Sequence, residues 1–595
     1  MPTVHANGTQ ADLFPHAGPT DGLPIFANRV AALDRARELY RGLQNTAEGF
    51  RLEGLLAEMK VEIRVDDADL VRIPEKGPIV VVANHPCGLL DGAVLSVVLK
   101  RVRSDVRVMS DVLLGNVPEL AGRCIFVNPL QPGLGANLSA LREGTRWLQQ
   151  GNGLAFFPAS DDAHLRWGQS PIEDPQWRRT AAWCAQEARA LVVPVFFCGR
   201  NRLRFQWTGK FPPRVRTAEL VHEFLQKTGK TFEVRVGNAI SQEVLAGMAD
   251  VGEATAYLRS RTYLLAKRAR SHVPGPVGML ATIHLPARRA VAGGAMPDLL
   301  AAAVAALDPS RCILRNGRMA VLSLQGSESP VLLHEIGRLR EVTFRKAGEG
   351  TGRQLDLDRF DDYYRHLMLW DEERKAVVGA YRVGHSQDIL AAHGLKGFYT
   401  STLFRYSPEL FERVGPALEL GRSFIRPEYQ KQYSPLLLLW KGIAALVARE
   451  PETPVLFGAV SISSAYSRIS RDLIYRYFES RRREEELALW VRPRRPFFPT
   501  PLWSWDCRAI VGAMRDLDEL SQPISDIESD GKGLPVLLRQ YAKVGGRLLG
   551  FNVDRKFSSV LDGLVLVDLR KTDHAVLDRY MGRDAAAKFR RHHGV

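Results

Sequence analysis

Apolar and polar positions follow two different periods along the first half of the chain. From Ala32 to Arg64 (LDRARELYRGL…GFRLEGLLAEM) apolar residues recur at three and four, which predicts helix. Ile79 to Val82 is instead an unbroken β-branched run, the pattern of a buried strand, and Pro86 and Gly88 interrupt it before Gly92 to Leu99 opens a helix. Strand-like Val106–Met109, Arg123–Val127, Gly153–Phe157 and Leu191–Phe197 then alternate with helical Ala136–Gln150 and Gln176–Arg189. Strands alternating with helices predict an α/β domain, in which functional groups gather at the carboxyl ends of strands.

The pattern changes after Tyr263–Arg270. Residues 273 to 296, with Pro274, Gly275, Pro276 and Gly278 and an Ala/Gly-rich end, are expected to form a linker. Beyond them a helix (Pro297–Leu307), a strand (Arg318–Leu324), a helix (Glu335–Arg345), an acidic loop (Leu355–Asp362) and a hairpin (His366–Asp371, Val378–Arg382) follow. A strand at Ala417–Arg426 and a buried helix at Leu436–Val447 come next. No repeat relates the halves, so the expectation is two different α/β domains: a disordered lead-in at 1–28, a first domain at 29–272, the linker, and a second domain at 297–595.

Length and composition agree with this division. A chain of 595 residues exceeds what one hydrophobic core usually supports, and 45% hydrophobic with 25% charged residues is ordinary globular composition. A net charge of +15 implies an acidic partner: an anionic membrane surface, an acidic carrier protein or nucleic acid. Nucleic acid ranks last, because no RNP-like aromatic motif, zinc-finger spacing or long basic tail is present. Gly199–Arg216 carries six basic residues and no acidic one, interleaved with Phe205, Trp207 and Phe211. This suits an anionic membrane interface, or a solvated basic loop with buried rings. The six cysteines are scattered without CxxC spacing, giving neither a disulfide framework nor a metal site and fitting a reducing cytoplasm. No apolar run approaches the ~18 residues of a spanning helix, so membrane contact is expected to be peripheral.

The candidate chemistry starts at Asn84-His85-Pro86-Cys87-Gly88-Leu89-Leu90-Asp91. A histidine at a strand end and an aspartate at the following helix start could meet across the turn. The carboxylate would then fix the imidazole tautomer and stabilise its charged form, so that His85 could take a proton from a hydroxyl. The alternative is a surface turn with an incidental His and Asp.

This stretch resembles the first block of the glycerolipid O-acyltransferase family, of the lysophosphatidic acid acyltransferase type. Gly122–Val127, Phe157-Pro158 and Val193-Pro194-Val195 resemble the second, third and fourth blocks in family order. The resemblance implies His85 as general base, Asp91 as its orienting partner and an acyl thioester as donor, with Asn84, Asn128, Phe157 and Pro158 lining the acceptor site. The chain departs from the family in three places. Five residues separate His85 from Asp91 instead of four. Asn128 follows the second block where an arginine often binds a phosphate, and Ala159-Ser160 replaces Glu-Gly. The two missing phosphate-site residues turn the expectation from a glycerol-phosphate acceptor to a zwitterionic or amino-acid lipid.

In the second half Glu335–Arg345, Leu355–Asp362, His366–Asp371, Val378–Arg382, Gly397–Ser401 and Ala417–Arg426 resemble, in series, the N-acyltransferases that make lyso-ornithine lipid, a branch of the GNAT fold. Val491–Pro496 and Gly533–Asp554 match the tail of that pattern. The resemblance implies that Asp356, Asp358 and Asp361 bind the ammonium groups of an amino acid, that Arg382 meets its carboxylate, and that Glu419 is a base or water-orienting group. Strand alternation puts Glu419 and Arg422 on opposite faces unless a bulge intervenes. Arg426–Pro435 lacks the glycines of a coenzyme A pyrophosphate loop. That implies an acyl-carrier-protein donor, met by Arg422, Arg426 and Lys431.

The two resemblances together imply a bifunctional acyltransferase of ornithine-lipid synthesis on the cytoplasmic face of the inner membrane. Its second domain would N-acylate ornithine, and its first would O-acylate the lyso-aminolipid. No metal or redox cofactor is signalled. Open alternatives are glutamine, glycine or serine as headgroup, or one half reduced to a lipid- or carrier-binding module.

Overall fold

The computed structural model describes residues 24–47, 49–86, 88–128, 134–159, 177–198, 221–222, 224–269, 289–432, 434–501, 508–555 and 557–595. The chain forms two compact units, Met1–Ala269 with Leu502–Lys532, and Arg270–Pro501 with Gly533–Val595. Most of the proposed lead-in, the basic-aromatic stretch at 199–216 and linker residues 273–288 lie outside the described residues.

The first unit is a seven-stranded sheet with helices on both faces. Its strands are β1 (Glu62–Val65), β2 (Ile79–Ala83), β3 (Val106–Asp111), β4 (Cys124–Val127), β5 (Gly153–Phe156), β6 (Leu191–Cys198) and β7 (Thr231–Val236). They lie in the order β1-β7-β6-β2-β5-β3-β4. β2 is central and parallel to both β5 and β6, whereas β7 runs antiparallel to β6. Every residue of β2 is buried because alternate side chains enter opposite cores. Val80 and Val82 join one core with Leu154, Phe156 and Val192, while Ile79, Val81 and Ala83 join the other with Leu90 and Val94 of the helix Leu89–Lys100.

The helical pattern expected over 32–64 is divided. A helix at Pro24–Gln44, beginning inside the expected lead-in, and another at Leu52–Glu58 are followed by β1. Glu62-Ile-Arg-Val alternates, and its four residues are too few to outweigh the helical period before them.

Residues 502–532, expected in the second domain, belong to the first unit, where a buried ion network holds their described part. Asp526 Oδ2 accepts from Arg261 Nη2 at 2.7 Å, and its Oδ1 accepts from Arg72 Nη1 at 3.1 Å and from the Asn238 backbone N–H at 2.7 Å. Arg268 spans Asp69 at 2.7 Å and the Asp526 carbonyl at 2.6 Å. The first unit therefore takes structure from two separated stretches of chain.

The second unit is an eight-stranded sheet. In chain order its strands are β8 (Cys312–Asn316), β9 (Met319–Gln325), β10 (Arg365–Asp371), β11 (Ala376–His385), β13 (Ala417–Ile425), β14 (Val455–Ile462), β16 (Arg547–Asp554) and β17 (Val560–Asp568). β12 (Phe404–Tyr406) and β15 (Val491–Pro493) pair separately. The sheet order is β16-β17-β14-β13-β11-β10-β9-β8. One face is covered by Ser434–Arg449, the expected buried helix, with Leu438, Leu439 and Ile443 inside. The helix Pro330–Lys346 packs Leu332, Ile336 and Leu339 against the opposite face. Residues 289–296, expected as linker, bond into this unit, with Arg289 and Ala292 donating to the Gly352 and Gln354 carbonyls at 3.1 Å.

β13 and β14 are the parallel pair in this sheet, and their pairing runs only through Ala417↔Val455, Leu418↔Leu456 and Glu419↔Phe457. Each strand continues, paired on its outer side to β11 or β17. Their facing edges thus part after Glu419 and Phe457, opening a wedge in the sheet. Gly458 sits where they part, and a Cβ there would stand 2.1 Å from the Leu420 carbonyl oxygen.

Candidate active sites

The first candidate site lies at the carboxyl ends of β2, β5 and β6. Asn84 follows β2 and continues its pairing to β6 by a side chain: Nδ2 donates to the Phe197 carbonyl at 3.1 Å, and Oδ1 accepts the Phe197 N–H at 2.7 Å. This clamp fixes the backbone that carries His85. The chain then turns through Gly88, whose φ of +71° suits glycine, into the helix that begins at Leu89. Asp91 lies in the first helical turn, fully buried, where the N-terminal end of the helix dipole favours its negative charge. His85 Nδ1 and Asp91 Oδ2 are 3.2 Å apart, and the imidazole is 37% exposed. The five intervening residues are therefore accommodated, and the His–Asp pair expected from the sequence is in contact.

Phe157, at the end of β5, places its ring 4.4 Å from the imidazole centroid at an interplanar angle of 35°. It forms one wall of the site, and Pro158 after it is buried. Asn128, at the end of β4, is held by Asn137, which accepts from its N–H at 2.8 Å and donates to its carbonyl at 2.9 Å. These two bonds tie the backbone of Asn128 to the helix Leu134–Gln149.

The second candidate site surrounds the wedge between β13 and β14. The acidic run expected to bind a substrate ammonium is occupied by the protein's own guanidiniums. Asp361 pairs with Arg340 at 2.7 Å and with Arg382 at 3.3 Å; Arg382 pairs with Asp358 at 2.6 Å. Burial opposes ionisation of Asp361, but Arg340 and Arg382 outweigh it and hold the carboxyl well below the usual range. Asp358 and Asp361 also form a reciprocal capping box, with Asp358 N–H donating to Asp361 at 2.8 Å and Phe360 N–H donating to Asp358 at 3.0 Å. Charge neutralisation and loop capping account for two of the three carboxylates. Asp356 is buried, which raises its pKa, and it lies 3.6 Å from Arg422.

Arg382, expected to meet a carboxylate, is held through Nη1, while its Nε and Nη2 have no hydrogen-bond partner among the described residues. Its guanidinium lies within 4.8 to 5.5 Å of the Tyr399, Tyr364 and Phe360 ring centroids. Buried His366 lies behind it, its Nδ1 3.2 Å from Arg340 Nη2. Since the arginine can only donate, Nδ1 is the acceptor. Burial, reinforced by Arg340, pushes the imidazole down to about 3, so it is neutral at physiological pH.

Glu419 is enclosed. It accepts from the Thr400 N–H at 2.7 Å, from the Tyr399 N–H at 3.2 Å and from the Tyr364 hydroxyl. It anchors the turn Tyr399–Thr402, and burial raises its pKa. Arg422 shares this surrounding because a bulge does intervene: β11 pairs Ala380↔Phe424 and then Arg382↔Gly421, and Arg422 has φ +47°. Its guanidinium lies over the Tyr399 ring at 5.0 Å and 3.6 to 3.7 Å from Asp356 and Asp358. Arg422 is therefore mostly buried inside the unit and is not the surface contact expected for a carrier protein. Arg426 is half-buried, and its Nε donates to Glu428 at 3.0 Å.

Sequence reading missed Arg340, His366 and Tyr364. Arg340 and His366 lie within quoted stretches, but an apolar-polar pattern does not say which charges pair across elements.

Residues 339–441 match the acetyltransferase (GNAT) domain family. The chain is 35% identical over 158 residues to the glycine N(alpha)-acyltransferase of Phocaeicola vulgatus, covering 25% of this chain and 48% of that protein. It is 32% identical over 160 residues to the L-ornithine N(alpha)-acyltransferase of Brucella abortus, covering 26% and 52%. With the lyso-glycine lipid O-acyltransferase of Phocaeicola vulgatus it shares 30% over 196 residues, covering 31% and 65%. The chain spans about half to just under two thirds of each of these relatives. It is thus similar both to N-acyltransferases that act on amino acids and to an O-acyltransferase that acts on a lyso-lipid.

Proposed function

We propose that the chain is a bifunctional acyltransferase of aminolipid synthesis. The second unit transfers a 3-hydroxyacyl group from a thioester to the α-amino group of an amino acid, and the first unit then esterifies the 3-hydroxyl of that product. The 3.2 Å contact between His85 and buried Asp91 at the carboxyl end of the central strand carries this reading. With Nδ1 turned to Asp91, Nε2 is the ring atom that takes the proton from the acceptor hydroxyl. The hydroxyl oxygen attacks the thioester carbonyl, the C–O bond forms as the C–S bond breaks, and His85 returns the proton to the departing thiolate. Phe157 against the ring supports the imidazole and offers an apolar wall to an acyl chain.

The donor of the first step is an acyl carrier protein. The absence of glycine from Arg426–Pro435 and the net charge of +15 support an acidic protein donor over a pyrophosphate-bearing one. The working place is an anionic membrane surface on its cytoplasmic side, met peripherally; among the described residues no helix is long and apolar enough to cross a membrane.

For the headgroup, ornithine is the reading from the sequence and glycine is the second. Glycine is favoured by the internal pairing of Asp358 and Asp361, which removes the carboxylates that singled out a diamino acid. Expression in a host without aminolipids, followed by mass spectrometry of extracted lipid, separates them. An ornithine headgroup, a glycine headgroup and no aminolipid give three distinct results, and the last contradicts the proposal.

A further inference from the structure

The N-acylation proposed for the second unit needs a group to take a proton from the substrate ammonium, and Glu419 is poorly placed for it. Both of its carboxylate oxygens are engaged, by two backbone N–H groups and the Tyr364 hydroxyl. Another carboxylate stands at the same wedge. In the sheet register Gly384 pairs with Glu419 and Glu419 with Phe457; Ser461 lies four residues beyond Phe457 and pairs with Asp562 of β17. Residues two or four apart on a strand share a face, and cross-strand partners do too, so Glu419, Ser461 and Asp562 project from one face of the sheet.

Ser461 and Asp562 lie past the point where β13 and β14 part. Burial also loosens there: β13 is buried from Ala417 to Leu420 and only partly buried at Gly421, Arg422 and Ser423, and β14 is partly buried at Ala459 and Ser461, while Asp562 itself is buried. Asp562 accepts one hydrogen bond, from Ser461 Oγ to Oδ1 at 2.7 Å, and Oδ2 has no donor among the described residues. Asp562 therefore has what Glu419 lacks, an oxygen that is not already engaged.

We propose that Asp562 is the general base of the N-acyl transfer, a catalytic residue that touches the substrate amine, with Ser461 holding its carboxylate in place. This rests on the N-acyltransferase reading given above. Asp562 Oδ2 takes one proton from the ammonium. The neutral amine nitrogen attacks the thioester carbonyl carbon, the N–C bond forms and the C–S bond breaks. The second nitrogen proton goes to the departing thiolate sulfur, and Asp562 releases its own proton to water.

The charges around Asp562 suit that task. Burial pushes its carboxyl up to about 7, with Asp554 and Glu349 adding to the rise and Ser461 and Arg422 opposing it. A base poised near the working pH is the most effective one. Glu349, three residues past the helix Pro330–Lys346, is pushed up to about 7 by its own burial. Arg422, which pairs with Asp356 and Asp358, thus also acts on Asp562.

The test uses the full chain with a 3-hydroxyacyl-carrier-protein donor and glycine or ornithine as acceptor. Asp562→Asn keeps size and shape, and its kcat for N-acylation is expected to fall at least about 10²-fold while O-acylation of supplied lyso-lipid is unchanged. Asp562→Glu is expected to restore part of the rate. Ser461→Ala removes the hydrogen bond that favours the carboxylate, so the acidic limb of the N-acylation pH profile is expected to move to higher pH. N-acylation by Asp562→Asn within about threefold of the unaltered chain would overturn the assignment, as would an unmoved acidic limb in Ser461→Ala. A chain that N-acylates neither amino acid fails at the earlier step and overturns the reading on which the inference rests.

Discussion

Arg261 Nη2 meets Asp526 Oδ2 at 2.7 Å, with both side chains fully buried. The two residues come from distant parts of the chain, yet both belong to the first unit. Taking away one member of a buried ion pair leaves the other charge without compensation, which costs about 3–5 kcal/mol. Asp526→Ala is therefore expected to lower the unfolding temperature of the first unit and its O-acylation together, while N-acylation by the second unit persists. Calorimetry of the full chain, read beside both activities, measures this.

His366 makes the second unit sensitive to acid. The imidazole ordinarily titrates near 6.5 but is held down to about 3 here, by burial first and by Arg340 next. The unfolded chain binds this proton below its ordinary value and the folded chain does not. The stability contributed by neutral His366 is thus fully present above pH 6.5 and is lost as pH falls toward 3, with a slope of up to about 1.4 kcal/mol per pH unit. Denaturant unfolding between pH 4 and pH 7 should show this decline for the second unit, and His366→Gln should flatten it.

Gly458→Ala is expected to damage the wedge. The added methyl would stand 2.1 Å from the Leu420 carbonyl oxygen, so β13 and β14 must separate where they now meet. Overpacking of this kind destabilises by about 1–3 kcal/mol. The expected result is a lower denaturation midpoint for the second unit and reduced N-acylation, with O-acylation retained.

Much of the first unit was legible in the sequence. Ile79 to Val82 reads as a buried strand because a strand flanked on both sides by parallel neighbours is apolar on both faces, and this one is. His85 and Asp91 could be read as a pair because only a turn and one helical turn separate them. What failed was non-local. The acidic run was legible as acidic, but its partners come from the helix Pro330–Lys346 and from β11, and pairing across elements leaves no mark on either stretch. Alternation alone left the face of Arg422 dependent on whether a bulge intervenes, and a bulge has no pattern of its own in apolar and polar positions. Asp562 sits in a strand that reads as ordinary core, since a single buried carboxylate in a run of Leu, Gly and Val looks like an interruption until its neighbours are known.

Asp91→Asn tests the division of labour at His85. The amide keeps the size of the side chain but loses the charge that stabilises imidazolium, so O-acylation is expected to fall by about 10²-fold or more with little change in KM for the lyso-lipid. Steady-state rates on supplied lyso-lipid check this, and an unchanged kcat would remove Asp91 from its assigned role.

The central claim is that one chain performs two acyl transfers in order, with His85 serving the second. It is tested most directly by the lipid made by His85→Ala in a host without aminolipids. The account predicts that the mono-acylated aminolipid accumulates and the diacyl form disappears, whereas the unaltered chain makes the diacyl form. Undiminished diacyl aminolipid from His85→Ala would contradict it.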